Sequence, residues 1–379
     1  MRRRIALLVA ALAVPACLLA LPAQAGPGGG AGRYIVVLKD AVDPAAVANI
    51  HASQYGAQVD AVWGSALHGY AAVIPNDRVA DVRSNANVKY VVADGEASIS
   101  AQTLPWGVDK IDADVSSTRA GDGSGAVSNV NVYVIDTGVD TSHPDLNVVS
   151  FVQFTNGPKR DCNGHGSHVA GTIAAKDDTQ GVVGVAPGAP IYAVKVLGCS
   201  GSGSWSSVIS GIDWVTQNHK ANAVANMSLG GSANQAVDDA VRNSAASGVF
   251  YALAAGNDGA DACNQSPARA GAGTDNGIAT VAAVDSSDQE ASWSNYGSCV
   301  DIWAPGVSIY STYKDGGYAT LSGTSMASPH VDGGGALYLS THSGASPSSV
   351  ESALKAAAVS TGTRSKNGRA ITREYVGGF

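Results

Sequence analysis

The sequence predicts an α/β protein. A small α+β unit comes first, followed by a larger domain built in three layers, with helices on both faces of a parallel central sheet. Three observations carry this reading. The runs NVNVYVIDTG (129–138), PIYAVKVLG (190–198), ANAVANMSLGG (221–231), GVFYALAAGN (248–257) and GIATVAAVD (277–285) are almost continuously apolar. Strands covered on both faces read that way, whereas half-exposed strands alternate. Helical segments such as SSVISGIDWVTQNH (206–219) and NQAVDDAVRNSAASG (234–248) fall between them, as parallel strands require. A chain of 379 residues is also long for one average domain, which leaves room for the preceding unit.

Taken in order, the chain begins MRRRIALLVAALAVPACLLALPAQA. Three arginines, an apolar run and the small-x-small site Ala23-Gln24-Ala25 predict a secretory signal over 1–25, cut after Ala25. A membrane anchor is the competing reading. Pro15 and Pro22 interrupt the run, and no later segment is long and apolar enough to span a bilayer. Residues 26–32 are mostly Gly, Ala and Pro and read as a linker. RYIVVLKD (33–40), HGYAAVIP (68–75) and KYVVADG (89–95) read as strands; PAAVANIHASQYG (44–56) and DRVADVRSNANV (77–88) read as helices. That order fits a ferredoxin-like α+β unit. EASISAQTLPWG (96–107) turns small and polar and reads as an exposed connection open to proteolysis.

Composition excludes several classes. Hydrophobic residues are 45% of the chain, charged residues 14%, and there are 46 glycines, so the protein is globular with many turns rather than disordered. The net charge of −8 argues against nucleic acid or an anionic membrane as partner. With Cys17 lost in the signal, Cys162, Cys199, Cys263 and Cys299 remain. In a secreted chain they predict two disulfides of open connectivity; four buried thiols are the alternative.

Chemistry in open parallel sheets gathers at the carboxyl ends of the strands. Asp136 and Asn257 each end a predicted strand. NGHGSHVAGT (163–172) sets His165 at a helix start, and GTSMASPH sets Ser325 at another. A serine hydroxyl is a weak nucleophile. It needs a base for its proton, and the base needs a carboxylate to hold its tautomer. Alone, IDTG could be a strand exit, HGSH a helix entry with a core histidine, and TSM an N-cap. Together they supply the whole relay. Zinc held by Cys162, His165 and His168 is a weaker reading, because the spacing is uncommon for zinc and no second ligand pair follows.

These stretches, with LGCSGSGS, VANMSLGG, YALAAGND, SPAR and SNYGSCVDIWAPG, resemble the subtilisin-like serine proteases of the proteinase K branch, aqualysin-type enzymes above all. The likeness runs from Trp106 to about Leu354, and the order Asp, His, Ser is subtilisin's. The resemblance implies a subtilisin-like αβα fold and a secreted serine endopeptidase of broad specificity. Asp136 would be the triad acid, His165 the base, Ser325 the nucleophile and His168 a non-catalytic second histidine. Asn257 would complete the oxyanion hole, with the Ser325 N–H as second donor. Gly201-Ser202-Gly203 and Ser228-Leu229-Gly230 would sandwich an extended peptide, bound mainly through its backbone.

The same likeness implies bridges Cys162–Cys199 and Cys263–Cys299. It also implies structural calcium near Asp109, Asp112 and Asp114 and at Asp301, with no cofactor for catalysis. The loop ARAGAGTDNG (268–277) is longer than its counterparts, which counts against one calcium site. Residues 26–100 would be a propeptide that templates folding and inhibits the cleft. Self-cleavage after Ser100 would leave a monomeric peptidase domain, 101–379.

One stretch departs from the family. After the nucleophile the pattern is PHVAG and then small apolar residues; here it is PHVDGGGALYL. Glycine costs a helix roughly 0.5–1 kcal/mol per site relative to alanine, and a buried unpaired carboxylate costs more or stays protonated. Asp332-Gly333-Gly334-Gly335 therefore predicts a stability liability beside Ser325. It is the one feature that favours an alternative, a catalytically impaired binding protein on the subtilase fold; a separate alternative is acyl transfer, such as peptide ligation or esterase activity, which reaction with an ester but no peptide would favour.

Overall fold

The computed structural model describes residues 30–94, 102–273 and 275–379. The predicted signal and the cleavage position after Ser100 lie outside the described residues. Within them, no helix is long and apolar enough to cross a membrane. The chain divides into two compact units near residue 98.

The first unit runs β1 (Ala31–Leu38), α1 (Pro44–Tyr55), β2 (Gln58–Trp63), β3 (Gly69–Pro75), α2 (Val79–Ser84) and β4 (Val88–Ala93). Its antiparallel sheet has the order β2-β3-β1-β4, the ferredoxin-like arrangement. Asp43 caps α1 by accepting from the Ala45 N–H, Pro44 opens it, and Gly56 closes it in the left-handed conformation. Val36, Leu38, Val47, Tyr70, Ile74 and Val82 fill the core. The unit holds two surprises. Ala31 and Gly32, read as linker, begin β1. QVDAVW, not foreseen as a strand, forms the edge strand β2 with alternating burial.

The second unit continues α3 (Trp106–Lys110), β5 (Asn131–Asp136), β6 (Val148–Gln153), α4 (His165–Ala174), β7 (Ile191–Lys195), α5 (Trp205–Asn218) and β8 (Ala223–Met227). Then come β9 (Gly231–Ser232), α6 (Gln235–Ala246), β10 (Val249–Ala254), β11 (Gln265–Ser266), β12 (Ile278–Val284) and β13 (Ile302–Pro305). The remainder is β14 (Ile309–Thr312), β15 (Tyr318–Leu321), α7 (Thr324–Thr341), α8 (Pro347–Ala357), β16 (Val359–Arg364) and β17 (Ala370–Arg373). The main sheet has the order β16-β17-β13-β12-β10-β8-β5-β7-β6. It is parallel from β17 to β6, with β16 antiparallel at one edge.

Alternate residues of one strand serve opposite faces. Val132 and Val134 of β5 point to a core shared with α4, α7 and α8, where they meet Val169, Ile173, Val331 and Leu354. Tyr133 and Ile135 point to a second core with Val208 and Ile212 of α5 and Val237 and Val241 of α6. Those two cores make the three layers. The connection expected to be exposed is anchored from Gln102 onward. Gln102 Nε2 donates to the Lys176 carbonyl at 2.8 Å, Thr103 N to Gly181 O at 2.8 Å, and Trp106 Nε1 to Ser308 O at 3.1 Å.

Helix α7 stays helical through Pro329 and three glycines, for reasons the sequence hides. Proline has no N–H for the carbonyl four residues back, that of Ser325. Ser228 Oγ takes the vacancy, donating to Ser325 O at 2.7 Å. The glycines are sites of close approach. A methyl at Gly333 would sit 2.5 Å from Val185 Cβ, one at Gly334 2.3 Å from Glu374 Oε1, and one at Gly335 2.7 Å from the Phe250 ring. The propensity lost at these positions is therefore offset by packing, which corrects the expectation of a pure liability.

The carboxylate behaves as foreseen. Asp332 is fully buried and neither oxygen has a hydrogen-bond partner; Glu374, also buried, has none either. Burial pushes both carboxyls well above their ordinary range. Arg373 partly offsets the shift at Glu374, and Asp332 adds to it.

Candidate active site

β5 ends at Asp136, and α4 begins at His165. His165 Nδ1 donates to Asp136 Oδ1 at 2.8 Å, and the Thr137 N–H donates to the same oxygen at 2.7 Å. Asp136 is fully buried, while His165 keeps a quarter of its side-chain surface exposed. Glycine at 166 permits this closeness, since a methyl there would lie 2.0 Å from Gly138 O and 3.2 Å from Asp136 Cβ. Burial lowers the His165 pKa. The Asp136 charge and hydrogen bond, with a contribution from Asp161, outweigh it and leave the pKa raised above 6.5. A carboxylate on Nδ1 leaves Nε2 free to take a proton.

The start of α4 is held by side chains the sequence reading missed. His165 N donates to Asn163 Oδ1 at 3.2 Å, Gly166 N to Thr137 Oγ1 at 2.9 Å, and Ser167 N to Asp161 Oδ2 at 3.0 Å. Asp161 also accepts from Thr137 Oγ1 at 3.0 Å, from the N–H groups of Asn163 at 3.0 Å and Gly164 at 2.8 Å, and from Ser167 Oγ at 2.6 Å. It thereby ties the strand end carrying Asp136 to the helix start carrying His165. An Asp four residues before a helical histidine, with Asn and Gly between, was a legible capping signal. Lys195 lies fully buried nearby and donates to Thr137 O at 2.6 Å and Leu197 O at 2.9 Å. Burial lowers its pKa, against the pull of Asp161 and Asp136. No pattern in the sequence marked it.

Ser325 lies in the first turn of α7, which packs on α4. Its Oγ donates to Ser228 O at 3.2 Å rather than to His165. Asn257 follows β10. Its Oδ1 accepts from Thr324 N at 2.8 Å and Thr324 Oγ1 at 3.0 Å, so its Nδ2 faces the other way. A point one methyl out from Gly323 lies 3.5 Å from Asn257 Nδ2 and 3.6 Å from Ser325 N. Two donors thus converge on one space beside the serine. A first-turn N–H has no intrahelical partner, and the helix dipole favours negative charge there.

A cleft of about 550 Å³ runs from His165 between Gly201-Ser202-Gly203 on one side and Ser228-Leu229-Gly230 on the other. Both expected edges line it. His168, by contrast, is buried; its Nε2 bonds the carbonyls of Ile309 at 3.0 Å and Ala319 at 3.1 Å, and burial lowers its pKa to about 4. It is a packing residue. The disulfides Cys162–Cys199 and Cys263–Cys299 are both formed. The first links the approach to α4 with the loop before Gly201, which leaves no thiol for zinc.

The carboxylates expected to hold calcium do not converge. Among the described residues no three His, Cys, Asp or Glu side chains form a metal cage. Asp301 faces a protein cation instead. Lys355 Nζ lies 3.9 Å from Asp301 Oδ1, 2.8 Å from Glu351 Oε1, and against Asp275. Asp301 Oδ2 accepts the Thr280 N–H at 2.8 Å. Burial, with Glu351 adding, raises Asp301 to about 7 despite the Thr280 bond and the Lys355 and Arg369 charges. Asp109 is exposed, and Asp112 lies within the fields of Arg373 and Lys110 as well as of Asp109 and Asp114. At neither place do three such side chains come together among the described residues.

Known proteins give the arrangement its context. The Subtilase family model matches residues 127–378. The chain is 44% identical to alkaline serine exoprotease A of Vibrio alginolyticus over 81% of its own length and 58% of the relative's, so it spans little more than half of that protein. It is 46% identical to an extracellular serine proteinase of a Thermus species over 79% of the chain and 73% of the relative. Subtilisin DY of Bacillus licheniformis is 46% identical over 69% of the chain and 94% of the relative. The crystal structure of a cold-adapted subtilisin-like serine proteinase superposes with a TM-score of 0.62 at 42% identity, covering 74% of this chain and 99% of that one. With its parallel-sheet αβα architecture, this chain belongs to the subtilase family.

Proposed function

We propose that the protein is a secreted serine endopeptidase of broad side-chain tolerance that processes itself from a precursor. The observation that carries it is the pairing of the Asp136–His165 hydrogen bond with two donors converging beside Ser325. When a peptide lies between the two cleft edges, Ser325 Oγ leaves the Ser228 carbonyl and turns to His165. His165 Nε2 takes its proton as Oγ attacks the scissile carbonyl. Asn257 Nδ2 and Ser325 N receive the developing oxyanion. His165 then hands the proton to the leaving amine, and the acyl-enzyme is hydrolysed by water through the same steps. Asp136 orients the imidazole and stabilises its charge without itself taking the proton. Catalysis needs no cofactor.

Residues 1–25 act as the signal, 26–100 as an inhibitory folding template, and 101–379 as a monomeric peptidase. A parallel sheet rich in non-local contacts folds slowly, so a template has a physical purpose. Secretion is supported by the charged and apolar start of the sequence and by the extracellular Thermus relative. Partners are extended polypeptides and the protein's own propeptide, not nucleic acid or membrane. An impaired binding protein is not supported, because VDGGG is packed into α7 and removes no group from the site. Expression of wild type and Ser325→Ala, followed by mass mapping, tests the reading. Wild type is expected to start near Ala101 and Ser325→Ala to remain uncut there; the same cut in both would sink self-processing.

A further inference from the structure

We infer that Asn226 is a positioning residue of the relay: buried in the middle of the sheet, it aims the Ser228 hydroxyl at the Ser325 carbonyl and so holds the turn that carries the nucleophile. The inference rests on the endopeptidase reading and adds a residue to its machinery. Asn226 lies in β8, fully buried, with Val134 of β5 and Ala252 of β10 beside it in the sheet. Both neighbours belong to the apolar core under α7. A side-chain amide there destabilises the fold unless its hydrogen bonds are met. Both of its ends are met. Nδ2 donates to Ser228 Oγ at 2.9 Å, and Oδ1 accepts at 2.7 Å from the hydroxyl of Ser328, which is also fully buried in α7.

The direction of these bonds is forced from the far end. Pro329 has no N–H, so the Ser325 carbonyl lacks its helical donor. A carbonyl only accepts, so Ser228 gives its one hydroxyl proton to that oxygen, at 2.7 Å. On its other side Ser228 Oγ can then only accept. Asn226 therefore has to present Nδ2 to it, which leaves Oδ1 for the Ser328 hydroxyl. Each assignment follows from the one before, and the proline starts the series. Ser228 also holds the Ser325 side chain, since its own carbonyl accepts from Ser325 Oγ at 3.2 Å. That second bond breaks when Oγ turns to His165. The bond to the Ser325 carbonyl then fixes the turn that presents both Oγ and the oxyanion donor Ser325 N. Without the amide the Ser228 hydroxyl rotates, the carbonyl loses its donor part of the time, and the turn drifts. Small misplacements of reacting groups lower the rate steeply.

A double-mutant cycle tests this: wild type, Asn226→Leu, Ser228→Ala and the double variant, as purified mature enzyme on one peptide. Active sites are counted with a fluorophosphonate, so kcat is per working site. Leucine matches asparagine in shape, and the Ser328 hydroxyl can turn to the carbonyl four residues back. Each single variant should lower kcat about tenfold, the effect of one hydrogen bond, with KM little changed. The double variant should be no slower than Ser228→Ala, because Asn226 then has no hydroxyl to aim. Losses that multiply to about a hundredfold in the double variant overturn the inference, since Asn226 would then act on its own. So does an Asn226→Leu enzyme with a lower melting temperature but an unchanged kcat per site, which marks a merely structural role. Asn226→Ala goes through the same cycle; if neither variant at 226 gives titratable enzyme while wild type does, Asn226 serves folding and the inference falls. In each of these cases the endopeptidase reading stands. A wild type that cuts no peptide overturns both.

Discussion

Replacing Asp332 by asparagine in the inactive Ser325→Ala background should make stability less dependent on pH. In the unfolded chain Asp332 and Glu374 ionise in their ordinary range, from 3.8 and 4.5. In the folded chain burial without partners raises both. A raised folded pKa contributes stability that is fully present below the unfolded value. That stability is lost as pH climbs toward the folded one. Each carboxyl that folding must protonate costs about 1.4 kcal/mol per pH unit over that window. Two carboxyls give a slope of about 2.7 kcal/mol per unit; Asp332→Asn halves it. For a domain of this size the variant's melting temperature should gain about 3 °C on wild type per pH unit above 5. The unmet hydrogen bonds of the new amide shift the whole curve by a constant and leave the slope alone. Calorimetry from pH 5 to 8 reads the difference. A gap between the two proteins that does not change with pH would refute the reasoning, because it would mean that Asp332 is already ionised in the fold.

Other expectations concern the site. Asn257→Ala should lower kcat about 10²–10³-fold with little change in KM, since its amide meets charge that appears only in the transition state. A comparable rise in KM would assign it to ground-state binding. His165 must be neutral to act as base, so kcat/KM should fall as pH drops through its raised pKa, with the half-point above 6.5. A half-point below 6 would mean that Asp136 does not hold the ring charge. Because Lys355 already supplies the cation at Asp301, chelation by EDTA should leave the melting temperature unmoved on that account. A fall on chelation that Asp301→Asn abolishes would place a metal there after all.

Much of the architecture was legible because burial writes itself into the runs. β5, β7, β8, β10 and β12 are apolar on both faces, and each was foreseen. The strands that were missed lack that signature. β2 and β16 alternate at sheet edges, and β13 to β15 are four residues each, too short to show a period. At the site, residues with a local motif were visible: Asp136, His165, Ser325 and Asn257. Residues that work through tertiary contact were not. Lys195 reads as one more strand position until the fold turns it toward the Thr137 carbonyl. The VDGGG stretch shows the same limit. Sequence gives the helical cost of Gly334, but only the fold shows Glu374 standing where its side chain would be.

Labelling of the mature protein with a fluorophosphonate, mapped by peptide mass, bears on all of this at once. The triad and the paired oxyanion donors predict stoichiometric label on Ser325, and none on Ser325→Ala or His165→Ala. A folded wild type that takes no label, or takes it on another serine, would contradict the account.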